Sequence, residues 1–176
     1  MSKERSSSVE TPPAPSGLPT SAGAIILDEG GDLLILKPTY KKGWTIPGGI
    51  VETDGESPWD ACRREVEEET GLIVRTGRLV VVDTRPGQIA KRGDSAPPQA
   101  PAPPVGLRLL FHCGVIPRIQ TRHVRIPPHE IAAFRFVPPP HALALLRPAV
   151  SRRVRVGLEV AHCVYLEDGH RLDGVC

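Results

Sequence analysis

Residues 57–71, SPWDACRREVEEETG, specify both ends of one helix. Ser57 is a residue type that caps helix N-termini, Pro58 fits the first helical position where no N–H is needed, and Asp60 stands at capping-box spacing from Ser57. Gly71 supplies the stop. Between them Trp59, Cys62, Val66 and Thr70 recur at helical spacing and form a core face, whereas Glu65, Glu68 and Glu69, three and four apart, share a different face. Glu67 points to solvent. A helix delimited this firmly must lay its apolar stripe on another layer, and the rest of the chain reads mostly as strands.

Thr20–Leu27 (TSAGAIIL) and Asp32–Lys37 (DLLILK) are short apolar runs separated by the turn signal DEGG, which predicts a hairpin. After the helix the hydrophobic period changes from 3.6 to 2 over GLIVRTGRLVVVDT, so residues 71–84 read as strand. LRLLFHCGV (107–115) and IAAFRFV (131–137) predict further strands, His141–Leu146 a short helix stopped by Pro148, and Ser151–Cys163 a last helix, with VRVGLEV open to a strand reading. One strong helix among strands, with helices at the end, implies an α/β class with a mixed sheet between helical layers.

The 20 prolines are clustered and mark what lies outside that fold. Residues 1–18 are rich in Ser and Pro without apolar period, the composition of a disordered leader. The segment from Arg85 to Gly106 is a second such stretch, either a lid or a tolerated surface insertion. The expectation is one domain over residues 19–176. With 22 basic and 20 acidic side chains, nothing in the charge balance advertises a nucleic-acid surface. Four scattered cysteines without a CxxC pair, and no signal peptide, point to a reducing cytoplasm. No apolar run approaches the roughly 20 residues that span a bilayer.

Like charges at neighbouring helix positions destabilise by roughly 0.2–0.5 kcal/mol per pair, so the acidic face needs compensation. Either it is solvated and relieved by Arg63 and Arg64, or it holds a hard divalent cation, which prefers carboxylate and carbonyl oxygens. The surrounding residues decide. Pro47-Gly48-Gly49 is followed by Glu52, by Gly55-Glu56 and then by the capped helix. Read together, GGIVETDGESPWDACRREVEEETGL resembles the Nudix box, which runs Gly, five residues, Glu, seven residues, Arg-Glu, an aliphatic, any residue, Glu-Glu, any residue, Gly, an aliphatic. From Glu56 onward the pattern is complete through Arg64, Glu65, Val66, Glu68, Glu69, Gly71 and Leu72. Five such fixed matches arise by chance on the order of once in a million start positions. One departure stands ahead of the helix, where six residues rather than five separate Gly49 from Glu56. It bears on the placement of Glu52 and of the glycine carbonyl.

The resemblance implies the Nudix fold, an α/β/α sandwich with a mixed β-sheet, over about Thr20 to Val137. It also implies Mg²⁺- or Mn²⁺-dependent hydrolysis of a nucleoside diphosphate linked to another group. Carried onto this chain, the metal ligands fall on Glu65, Glu68 and Glu69, with the Gly48 carbonyl as a further candidate, and Glu65 serves as ligand or base. Arg64 orients the glutamates and Glu56 locks the loop against the helix. Glu130, at the turn before IAAFRFV, is a candidate for a further ligand or base, and Asp83 a weaker one.

For substrate contacts the candidates are Trp44 and Tyr40 for stacking, Lys37, Lys41 and Lys42 for phosphates, and Arg85. A Trp in GWTIPGG reads equally as packing. His112-Cys113 and His162-Cys163 do not form a zinc site as pairs, since neighbours on a strand face opposite sides. The expected substrate is a small diphosphate, as a nucleoside triphosphate, ADP-ribose or a nucleotide sugar. The alternatives are a prenyl-type diphosphate and a nucleotide-sensing domain without catalysis. A homodimer is left open.

Overall fold

The computed structural model describes residues 17–85 and 105–175, and the proline-rich leader and most of the proline-rich insertion lie outside them. The chain runs β1 (Thr20–Asp28), β2 (Leu33–Pro38), β3 (Gly48–Ile50), α1 (Pro58–Thr70), β4 (Arg78–Arg85), β5 (Gly106–Ile116), α2 (Arg118–Thr121), β6 (Ile131–Val137), α3 (Pro139–Leu145), α4 (Pro148–Glu159) and β7 (Val164–Glu167). The strands form a single mixed sheet in the order β6-β2-β1-β5-β4-β7, with β3 also paired to β1. β1 and β5 are parallel, as are β4 and β7, and the remaining pairs are antiparallel.

β1 is central, and it is buried without interruption from Ala22 to Ile26, as expected of a strand covered on both faces. Ala22, Ala24 and Ile26 pack with Ala61, Cys62 and Val66 of α1. Ile25 packs on the other side with Ala142 and Leu146 of the α3 segment and Val154 and Val156 of α4. The result is the expected α/β/α sandwich. Along the edge of β1 toward β2, two partners share the strand: β3 pairs with Ser21–Gly23 and β2 with Leu27. The hairpin between β1 and β2 is closed by the Asp28 carboxylate, which accepts the N–H groups of Gly30 (2.8 Å) and Asp32 (2.9 Å).

Several sequence expectations need correction. The strand expected over 71–84 begins only at Arg78. Residues 72–74 keep the period of two, with Leu72 and Val74 buried and Ile73 exposed, but no neighbouring strand pairs with them, so the alternation builds core without sheet. Arg85 and Gly106, taken as ends of the proline-rich loop, are paired strand residues. Pro148 does not merely stop a helix, because it is the first residue of α4, which ends at Glu159 and leaves His162 and Cys163 exposed beyond it. α2 and β7 were not expected. Among the described residues no helix is long and apolar enough to cross a membrane.

α4 is fastened to the sheet by charge as well as by packing. Asp83 of β4 is fully buried and accepts from Arg153 Nη1 (3.0 Å) and from the Gly169 N–H (2.7 Å). Burial pushes its carboxyl above the ordinary range, against the pull of Gly169 and Arg153. The position weighed as a weak catalytic candidate is therefore committed to a structural ion pair. Removing one partner of a buried pair leaves an uncompensated charge and costs about 3–5 kcal/mol. Asp83→Ala is accordingly expected to lose about that much stability in urea denaturation, and Asp83→Asn less, since the amide oxygen still accepts from Gly169.

Candidate active site

α1 is built as its sequence dictates. Ser57 Oγ accepts the Asp60 N–H (3.1 Å) and donates to Asp60 Oδ2 (2.7 Å), and Gly71 adopts φ 69° to return its N–H to the Glu67 carbonyl. The three glutamates of the acidic face sit in unequal environments. Glu69 is 3% exposed, the Glu65 side chain is largely buried and that of Glu68 is exposed. A simple solvated face is thereby excluded, because its central carboxylate is inside the protein.

Arg64 organises the neighbourhood. Its guanidinium grips Glu56 through Nε (2.8 Å) and Nη2 (3.1 Å), donates from Nη1 to Glu65 (2.9 Å) and Glu68 (3.1 Å), and reaches the Ile50 carbonyl (3.1 Å). The fork geometry of Arg suits bidentate carboxylate binding. Glu56 in turn accepts the Glu52 N–H (2.9 Å) while its own N–H goes to Asp54 (3.1 Å). The extra residue of the loop is thus absorbed in a turn at Thr53-Asp54, on the far side of this clamp from α1. Glu52 supplies backbone to that closure.

The two glycines ahead of the loop are required by close approach. Gly48 has φ 143° and pairs with Gly23, whose Cα lies 2.6 Å from where a Gly48 Cβ would be. A Cβ on Gly49 would fall onto the Glu65 carboxylate. The Gly48 N–H donates to Glu69 Oε2 at 2.8 Å. Even so, burial drives the Glu69 carboxyl up to about 8, and the charges of Glu65, Glu130 and Glu68 add to the rise. Glu65 is raised as well, chiefly by burial and against the pull of Arg64.

Glu65 and Glu69 open into a cleft of about 930 Å³, and Glu130 joins them on its wall. Glu130 is delivered by the turn before β6, which Thr39 anchors by donating its N–H (2.8 Å) and hydroxyl (3.1 Å) to the Glu130 carbonyl. Tyr40, Lys41 and Arg85 also line the cleft. Lys37 and Trp44 do not, and their expected substrate contacts are corrected. Lys37 is exposed on β2 opposite Ala133. Trp44 packs in the core beneath α3 and α4 with the Arg135 guanidinium 5.0 Å from its ring centre. Lys42 is likewise absent from the lining. His112 accepts the Gly114 N–H, and Cys113 packs against the α1 core.

Sequence reading missed the opposite wall, where Arg108 of β5 and Arg147, Arg152 and Arg153 around the start of α4 reach the cleft. An arginine inside the apolar run LRLLF was the one available signal.

The donor set fits a hard divalent cation. Among the described residues no three acidic, His or Cys side chains stand at metal-chelating spacing, with Glu65 and Glu68 held on Arg64 and Glu69 on Gly48. The chemistry is nonetheless that of a cation site, since a buried carboxylate raised by neighbouring carboxylates is relieved by positive charge in the cleft.

A NUDIX domain family model matches residues 17–156. Over 62 residues, 35% of this chain and 40% of the relative, the sequence is 37% identical to a MutT-like protein of Streptomyces ambofaciens. Over 59 residues, 34% of this chain and 28% of the relative, it is 36% identical to an RNA pyrophosphohydrolase of Xanthomonas campestris pv. campestris. The chain therefore matches well under half the length of these curated relatives. Among solved structures, a MutT protein from Bacillus halodurans superposes with a TM-score of 0.60 at 18% identity, covering 84% of this chain and 87% of its own. At that identity the likeness concerns the fold alone.

In the folded, metal-free protein Glu69 keeps its proton up to about 8, whereas an unfolded glutamate releases it near 4.5. Its contribution to stability is whole below that lower value and is lost as pH rises through about 8. In EDTA, the melting temperature of the wild type relative to Glu69→Gln is expected to fall as the pH is raised from acid to alkaline values. A difference that stays constant would show Glu69 ionised throughout.

Proposed function

The chain belongs to the NUDIX domain family, and from that premise we propose that it is a divalent-cation-dependent hydrolase cleaving a diphosphate bond in a nucleoside diphosphate joined to another group. The observation that carries this reading is the buried Glu69 carboxylate, which opens with Glu65 into a cleft that Glu130 also lines. These residues would hold Mg²⁺ or Mn²⁺, which would supply positive charge for the phosphate oxygens and a more acidic water as nucleophile.

Glu69 and Glu65 are the assigned ligands on this chain, with Glu68 swinging from Arg64 to join them and the Gly48 backbone beside Glu69 as a further candidate. Arg64 holds Glu65 on the wall of the cleft and fixes the loop through Glu56. Glu130, arriving from a separate loop, can serve as ligand or can take the proton of the attacking water. Tyr40 and Lys41, which line the cleft, are assigned to substrate contact. The free thiols fit a reducing cytoplasm as the site of action.

The relative named RNA pyrophosphohydrolase puts RNA among the substrates worth testing beside nucleoside triphosphates, ADP-ribose, nucleotide sugars and prenyl diphosphates. Activity on one class with Mg²⁺ is expected, and Glu69→Gln is expected to lose at least about a hundredfold in kcat, as removal of a principal electrostatic group does. Arg64→Ala, which frees Glu65 and Glu68, is expected to lose about 10–100-fold in metal affinity or activity. Nucleotide binding without turnover across the panel would instead identify a sensing domain.

A further inference from the structure

The cleft has two walls of opposite charge, drawn from opposite helical layers. Glu65 and Glu69 come from α1, while Arg147, Arg152 and Arg153 come from the start of α4, with Arg85 and Arg108 from the adjoining strand ends. Not all of these arginines are occupied. Arg152 pairs with Asp168 (2.7 Å) and Arg153 with Asp83 (3.0 Å). Among the described residues Arg108 donates only to main-chain carbonyls, those of Leu107 (2.7 Å) and Pro19 (3.4 Å). Arg147 donates to the Thr45 hydroxyl (3.2 Å), and its buried Nε has no hydrogen-bond partner. Among the described residues neither Arg108 nor Arg147 lies within ion-pair distance of a carboxylate.

Burial and the nearby charge of Arg85 work against ionised Arg108, and the Asp83 carboxylate, its cross-strand partner, offsets them only in part, yet guanidinium does not deprotonate in proteins. An unpaired, partly desolvated cation is unfavourable unless something anionic joins it. The backbone adds to the same field. Arg147 is the N-cap of α4 and no side chain closes that cap. Ala149 and Val150, which carry the helix's second and third amides, line the cleft, and such amides favour an anion. Gly106 leaves room for the Arg108 head, since a Cβ there would lie 2.9 Å from Nη1.

We propose that the wall formed by Arg108, Arg147, Arg85 and the open N-terminus of α4 is a second anion subsite, which selects diphosphates whose distal group carries its own phosphate or carboxylate. The selectivity rests on the diphosphatase reading, but the subsite can be tested without it. Tyr40 is the only aromatic side chain on the lining among the described residues, so charge rather than stacking supplies the distal recognition.

In EDTA the glutamate wall repels anions, so binding of inorganic pyrophosphate to the full chain, followed by titration calorimetry, reports the arginine wall. Wild type is expected to bind it. Arg108→Gln and Arg147→Gln are each expected to weaken binding about tenfold, the scale of a hydrogen bond to a charged group, with Arg108→Lys retaining most of it and circular dichroism confirming that each variant folds. No binding to the wild type at millimolar concentration, or equal binding by wild type and both glutamine variants, overturns the subsite.

With Mg²⁺, the ratio of kcat/KM for UDP-glucuronate over UDP-glucose, which differ by one carboxylate, is expected to exceed one and to fall in Arg108→Gln. Equal values in the wild type overturn the selectivity for a distal anion. Failure to cleave either, with pyrophosphate binding intact and sensitive to both arginines, supports the subsite and counts against the diphosphatase reading for nucleotide sugars.

Discussion

The carboxylate of Glu69 is the constraint from which the rest of the site follows. It is buried beside two other carboxylates and has one backbone N–H, from Gly48, to offset the loss of water. That donor exists only because β3, three residues long, pairs with the start of β1, and the pairing needs glycine at 48, where a Cβ would run into the Ala22 and Gly23 backbone. Gly49 must then lack a side chain so that Glu65 can lie over it. A chain of small residues therefore fixes where negative charge gathers. The energetic strain is electrostatic rather than steric, and a cation in the cleft relieves it.

The frame around this site is stiffened from both sides of the sheet. β1 is covered by α1 on one face and by α3 and α4 on the other, so a shift of either helical layer would disturb the strand that carries Ser21–Gly23 along the cleft. The Asp83–Arg153 pair and the Arg152–Asp168 pair tie the start of α4 to β4 and to the turn after β7. They hold the arginine wall at a fixed position relative to α1. Catalytic geometry built on packed elements is held more tightly than geometry built on loops.

Legibility in the sequence tracked the range of the interactions. The capped helix, Glu65, Glu69, and the grip of Arg64 on Glu56 all lie within 16 residues, where spacing alone encodes geometry. The central hairpin was legible because its turn residues and alternation are local too. Trp44 misled because an aromatic beside a glycine-rich loop suits stacking and packing alike, and only the tertiary position of Arg135 and Leu146 decides between them. β7 was invisible since four residues carry no period. The segment 72–74 shows the converse, in that its alternation was real but no partner strand existed to make it sheet.

This difference in range bears on how the two walls of the cleft can vary. The acidic wall depends on one helix and the loop before it, so its residues must change together or the clamp of Arg64 fails. The basic wall gathers Arg85, Arg108 and Arg147 from three elements far apart in sequence, and none of the three is part of that clamp. Each can be exchanged without touching the carboxylates. A fold arranged this way keeps its reaction in a compact, mutually dependent block and leaves the choice of substrate to side chains that the sheet merely brings within reach. On the proposed reading the acidic motif says little about the distal group, and the arginine wall is where the choice of substrate would be set.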